Sequence, residues 1–452
     1  IDVLDQDGGG MFPDLLYTVD SNSTRFVEHN KSAVSLDNLF INSSSGNIVN
    51  NSLDDVAFST AGDLNNDGDL DIIAIGSGNL YYLEDVGDGI FDRNISTLLD
   101  DGTSGRSGLP DHVVICDLDQ DGDQDVIVSL LGDSKVIWFE NSDPAGNFLP
   151  PNDLVSYILG RDRVDFISVG DVDGDYDLDL IVAYQSSDEV VWYANDGEQN
   201  FSDGVIVASG IDGLDEPRYL EMVDLNKSIT IGDRFHTPDI LIAAKGGIYR
   251  AMNDGEGNFT VSSVTNFGSS LGMVVRAVNL DGNQWPDVVY ATSDVGPPSY
   301  MLQDSNGFSA PIQFPDNADD VARTIDTPTA IEIYTGPSMP PANYIGPSRT
   351  SPAIIVSDSA LPYISLFQTS PSINSGVQVE NPIVLNAPIG ISSLMLADLQ
   401  RSKDFITYGF DGGQDEAIFD DIRFKNEGML FFKSPYPDYE QPTDSSKINR
   451  YK

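Results

Sequence analysis

Asp117-Leu-Asp-Gln-Asp-Gly-Asp-Gln-Asp125 carries an acidic residue at every other position, and two further stretches repeat it: Asp63-Leu-Asn-Asn-Asp-Gly-Asp-Leu-Asp71 and Asp171-Val-Asp-Gly-Asp-Tyr-Asp-Leu-Asp179. Oxygen-bearing side chains at alternate positions of a tight loop can converge on one hard cation. Without such an ion, the same carboxylates repel one another. The implied ion is Ca2+. The three stretches begin 54 residues apart, so each loop belongs to a repeating structural unit.

The residues after position nine decide which kind of loop this is. An EF-hand requires a bidentate Glu at position twelve and helices on both sides. Here position twelve is Ala74, Val128 and Val182, inside the aliphatic runs Ile72–Ile75, Val126–Val128 and Leu180–Ala183. Such short β-branched runs read as buried strands, so the unit is strand, acidic loop, strand.

A second signature follows in each unit. An aromatic strand leads to a glycine turn that closes on Phe: Leu80–Leu83 to Phe91, Val136–Phe139 to Phe148, and Val190–Tyr193 to Phe201. Trp138 and Trp192 repeat the 54-residue spacing, which assigns them to the cores of equivalent strands. Degenerate copies continue through Asp224, Ile240–Ala243 and Phe259, then through Asn279–Asn283, Val288–Tyr290 and Phe308. Ala353–Val356 with Tyr363–Phe367, and Leu394–Leu396 with Phe405–Thr407, extend the pattern further. The N-terminal unit lacks a first strand and the last lacks a fourth, so pairing of the two ends is expected to close a ring without exposed edges.

About 54 residues with three or four short strands match a propeller blade; β-helix repeats are shorter and helical solenoids show a 3.6 period. The expected fold is all-β, a β-propeller of seven or eight blades over residues 1–432, with units starting near 1, 54, 108, 162, 216, 270, 318 and 390. Residues 433–452 read as a polar, Pro-rich tail.

The acidic loop, aliphatic strand, aromatic strand and glycine turn together resemble the FG-GAP/VCBS repeats, the blades of integrin α-subunit heads and of many secreted proteins. The resemblance implies that positions one, three, five and nine supply side-chain oxygens and position seven a backbone carbonyl. The expected ligand sets are therefore Asp63, Asn65, Asp67, Asp69 and Asp71; Asp117, Asp119, Asp121, Asp123 and Asp125; and Asp171, Asp173, Asp175, Asp177 and Asp179. These are three strong Ca2+ sites, with weaker ones in later units. Gly68 and Gly122 sit where the loop needs a positive φ, but the third loop has Tyr176 there and its glycine at Gly174, so a reshaped turn is expected. Lys227–Thr237 interrupt the fourth loop.

The chain of 452 residues carries 72 acidic against 23 basic residues, a net charge of −49. Such a surface repels phosphate backbones and anionic headgroups, which argues against nucleic-acid and membrane-surface partners. No apolar run reaches the roughly 18 residues needed to span a bilayer. Cys116, the single cysteine, is expected to be a small buried hydrophobe. Acidic loops suited to millimolar calcium, and N-x-[ST] sequons at Asn22, Asn30, Asn42, Asn50, Asn94, Asn200, Asn226 and Asn258, point to a secreted, extracellular or cell-surface glycoprotein.

Propellers host adhesion, sugar binding and catalysis alike, so function rests on the sites. The three histidines, His29, His112 and His236, lie in different units without metal spacing. No nucleophile elbow or phosphate-cradling glycine loop is present. The leading expectation is a non-catalytic propeller for adhesion or assembly of a larger structure. A carbohydrate-binding propeller is the alternative, with a secreted hydrolase or lyase behind it. Trp285, Met339 and Tyr344 fall off the repeat period on expected loops, and are the candidate contacts to a protein or glycan partner.

Overall fold

The computed structural model describes residues 14–19, 23–27, 47–48 and most of 56–397. The chain folds as an all-β propeller. Its unit is clearest in the third intact repeat, where Val164–Gly170, Asp179–Tyr184, Glu189–Tyr193 and Val205–Ala208 pair antiparallel in that order. Val56–Gly62 and Leu109–Cys116 open two equivalent four-stranded sheets.

The register explains the loop. In each unit the last residue of the first strand lies opposite the ninth loop residue: Gly62 against Asp71, Cys116 against Asp125, Gly170 against Asp179. The acidic segment is thus a hairpin connection closed by the sheet itself. The strand that follows is buried at every position in Asp71–Gly76 and Asp179–Tyr184, because neighbouring sheets cover both of its faces. That is why its sequence is a continuous aliphatic run instead of an alternating one. Trp138 and Trp192 are buried between successive sheets as expected, and Cys116 is a fully buried small side chain.

The first strands follow one another around a ring. Val56–Gly62 touches Leu109–Cys116, which touches Val164–Gly170; Tyr219–Val223, Phe259–Val278, Pro328–Tyr334 and Ile391–Ala397 continue it, and the last returns to Val56–Gly62. Ile391–Ala397 also pairs antiparallel with Asp14–Val19, giving Leu15 opposite Leu396 and Leu16 opposite Met395. Ile391–Ala397 thus supplies the first strand that the N-terminal unit lacks.

The sheet count differs from the expectation of seven or eight blades. Among the described residues, five sheets have four or five strands, and a sixth is six strands wide. The cause lies in the fourth and fifth units. Phe259–Val278 pairs first with Asp239–Asn253 and then with Asp287–Thr292, so one unbroken strand joins both units. Glycines make the path possible: Gly268 takes φ +74°, and a Cβ on Gly272 would stand 2.9 Å from the Ala244 carbonyl oxygen. Residues 398–432, expected to finish the last unit, and the 433–452 tail lie outside the described residues.

Candidate metal centre

Each acidic loop is anchored by its ninth residue. Asp125 is fully buried; its Oδ2 accepts from the Leu118 N–H (3.0 Å) and its Oδ1 from the Asn141 N–H (2.8 Å). Asp179 repeats this with Val172 and Asn195, and Asp71 with Leu64 and Asp85. The pattern persists where the loop has degenerated: Asp239 accepts from Leu225 and Asn253, Asp287 from Leu280 and Gln303. Position nine therefore ties its own loop to the end of the third strand, whatever else it binds.

The residue at that strand end reaches into the preceding blade. The Asn141 side-chain amide donates to the Leu64 carbonyl (2.7 Å) and to Gln124 (2.9 Å), while its oxygen accepts from the Gly146 N–H (2.8 Å). Asn253 donates to Val172 and Pro238, and Gln303 to Leu225. In three places, then, the second residue of one loop is hydrogen-bonded to the next repeat unit.

Above these anchors the remaining carboxylates gather. One ligand oxygen from each of Asp117, Asp119 and Asp121 lies within 4.8 Å of the others, and the same holds for Asp171, Asp173 and Asp179. Each cluster holds a buried oxygen without a hydrogen-bond partner, Oδ1 of Asp117 and Oδ1 of Asp173. Buried oxygens of this kind are costly unless something satisfies them, and a cation does so. Burial raises the carboxyl groups of Asp117, Asp119 and Asp171 to about 6, with neighbouring carboxylates adding to the rise. At position nine, burial lifts Asp71 and Asp179 to about 7 and Asp125 to about 8, against the lowering effect of their N–H donors.

The other expected ligands sit differently. Asp121 Oδ1 and Asp175 Oδ1 accept from the N–H of Asp123 and of Asp177. In the first loop the Asp67 N–H donates to Asp63 Oδ1 and Asn65 Oδ1, both at 3.0 Å. That loop forms no cluster of three carboxylates among the described residues; Gly68 and Asp69 lie outside them. The fifth loop closes on itself, with Asn283 donating to both Asp281 oxygens and Asn279 donating to the Asn283 carbonyl. Trp285 is half-buried and its N–H donates to Asn283 Oδ1 (2.5 Å), whereas Met339 and Tyr344 lie outside the described residues.

The turn of the third loop is not reshaped. Tyr176 takes φ +77° where Gly122 takes +104°, so a bulky side chain occupies the left-handed conformation of the glycine and stands 52% exposed. Position four is left-handed as well, at Asn66, Gln120 and Gly174. Gly174 is thus a glycine moved to the second of two positions that favour it.

A different constellation fills the inner ring. Phe58, His112 and Phe166 are successive ring neighbours, with centroids 4.9 and 4.0 Å apart, and Tyr219 follows at 4.4 Å. Arg276 lies over Tyr219 and pairs with Glu221 and Glu332 at 3.0 Å each. Burial, helped by Arg276, drives His112 down to about 3, so the ring is neutral there. The signal was in the sequence: 58, 112 and 166 share the 54-residue period of the tryptophans.

Residues 63–128 and 117–182 match the FG-GAP-like repeat, so the chain carries repeats of that family. No curated protein matches the sequence. Among solved structures, an Agrocybe aegerita lectin, described as recognising non-reducing terminal N-acetylglucosamine, is 17% identical with a TM-score of 0.58, covering 86% of this chain and 96% of the lectin. A Lactobacillus plantarum protein is 10% identical (TM-score 0.55, 85% and 99% covered). The periplasmic gluconolactonase of Pseudomonas aeruginosa is 12% identical (TM-score 0.53, 86% and 99% covered). At these identities the likeness is one of fold. Among the described residues, no helix is long and apolar enough to cross a membrane.

Proposed function

We propose that the protein is a calcium-stabilised propeller that serves outside the cell as a non-catalytic binding scaffold for adhesion or for assembly of a larger structure. The observation that carries the calcium reading is the convergence of Asp117, Asp119 and Asp121, and of Asp171, Asp173 and Asp179, each with one buried oxygen lacking a donor. Asp125 with the Asp123 carbonyl, and Asp175 with the Asp177 carbonyl, would complete these sets. Asp63, Asn65, Asp67, Asp69 and Asp71 would form the third site. Oxygen-only, flexible ligand sets of this kind suit Ca2+ better than the strictly octahedral Mg2+. In this reading the six-stranded sheet is two blades sharing one strand, making seven blades around the ring.

Two observations support a scaffold role. The repeat-period aromatics are used internally, Trp138 and Trp192 between sheets and Phe58 and Phe166 around the ring, where Tyr219 continues the row. The exposed aromatic Tyr176 instead stands on a loop, where a partner can cover it. A glycan is the second reading, favoured by that same exposed ring, on which a sugar face can stack. Calcium titration of metal-stripped protein tests the metal, and binding to an immobilised glycan panel with and without calcium tests the partner. Calcium-dependent folding with no glycan retained leaves a protein partner; glycan capture lost on Tyr176→Ala selects the second reading.

A further inference from the structure

We propose that the acidic loops bind calcium as a coupled array, the second and third loops each being ordered for their ion by a side chain of the loop before; this rests on the calcium reading above. Successive loops touch through one repeated contact. The Gln120 side-chain amide donates to the Tyr176 carbonyl (2.8 Å) and to Asp177 Oδ1 (2.9 Å) in the next blade. One repeat earlier, the Asn66 amide donates to Asp123 Oδ1. Both donors occupy position four of their loop and both carboxylate acceptors position seven of the next, 57 residues on.

The geometry points in one direction. Gln120 lies between Asp119 and Asp121, two of the three carboxylates that converge in its own loop, and holds a left-handed φ of +59°. Gathering those carboxylates around a cation fixes the backbone at Gln120 and so aims its amide. The receiving end is the part of the third loop that most needs holding. Tyr176 is a bulky residue at φ +77°, and the peptide that Gln120 grips through the Tyr176 carbonyl leads directly into Asp177, whose own carbonyl is an expected ligand. Side chains in such left-handed positions persist when their surroundings over-determine them. A first ion therefore lowers the ordering cost of the second, and by linkage the second tightens the first by the same factor.

Asn66 and Gln120 are thus positioning residues, and both are exposed, so replacing them leaves the core intact. The series has an end: the third loop carries Gly174 at position four and has no side chain to pass on.

The test is a double-mutant cycle on the full chain, with Tb3+ as the probe and its emission excited through Tyr176 as the signal from the third loop; loss of that signal in Tyr176→Phe identifies it. Disabling the second loop by Asp121→Ala should weaken Tb3+ uptake at the third about fivefold, the low end of usual couplings. In the Gln120→Met background, which keeps the length but removes the donors, the affinities with and without Asp121→Ala should coincide. A third-loop affinity indifferent to Asp121→Ala, or a weakening undiminished in Gln120→Met, overturns the coupling while leaving calcium binding in place. Folded protein that takes up neither Tb3+ nor Ca2+ removes the calcium reading itself, and the coupling with it.

Discussion

Replacing Asn141 by Leu isolates the bond between blades from the metal. Asn141 is completely buried, and Asn141→Leu is close to isosteric, so the change is chiefly one of hydrogen bonds. Three backbone groups lose their partner: the carbonyls of Leu64 and Gln124 and the N–H of Gly146. Each buried group left unsatisfied costs about 1–3 kcal/mol, and the added apolar side chain returns about 2 kcal/mol. The net loss is then roughly 4 kcal/mol, and with an unfolding entropy near 2.1 cal/mol/K per residue it lowers the melting temperature by about 4 °C. Asn195 is the internal control, because it makes two such bonds, to Leu178 and Gly197, with neither reaching another blade. Calorimetric melting in saturating calcium should rank Asn141→Leu and Asn253→Leu below Asn195→Leu. An Asn195→Leu protein as unstable as the other two would refute the argument that the contact between blades carries the difference.

Three further outcomes follow from the same geometry. Asp121→Ala should cost more stability in calcium than Asp281→Ala, because Asp121 belongs to a converging set while Asp281 is already capped by Asn283; equal melting shifts would show that occupancy is misassigned. Metal-stripped protein should lose stability as pH rises from about 5 to 8. The native carboxyls of Asp71, Asp179 and Asp287 titrate near 7 and that of Asp125 near 8, above the ordinary unfolded value of about 3.9, so the native state holds the extra protons across that interval. Melting curves of stripped protein at pH 5.5 and 8 check the sign, and saturating calcium should abolish the fall. Tyr176→Gly should raise the melting temperature slightly, by relieving about 1 kcal/mol of left-handed strain, while weakening partner capture measured by surface binding.

Much of this architecture was legible in the sequence because its signals are periodic. The 54-residue spacing of three loops and two tryptophans gave the unit, and the complementary gaps at the two ends gave the closure that Asp14–Val19 and Ile391–Ala397 make. What escaped was not periodic in the obvious frame. The contacts of Asn66 and Gln120 run at 57 residues, since they join different positions of adjacent loops. Asp at position nine reads as one more ligand, and nothing in its identity reveals the two backbone N–H groups it holds in all five loops. The merged sheet depends on glycines that let Phe259–Val278 run on between units, a backbone event with no hydrophobic signature. His112 has no partners at metal-ligand spacing in the sequence, and its place between Phe58 and Phe166 explains why it has none of that kind.

Calcium uptake by the intact loops and the dependence of the fold on it are measurable together. Isothermal titration of metal-stripped full-length protein, followed by melting of the same sample with and without EGTA, tests this most directly. About three calcium ions should bind per chain, and chelation should clearly lower the melting temperature, a site at 100 times its dissociation constant stabilising by about 2.7 kcal/mol. A folded protein that takes up no calcium and melts identically in both conditions would contradict the calcium reading.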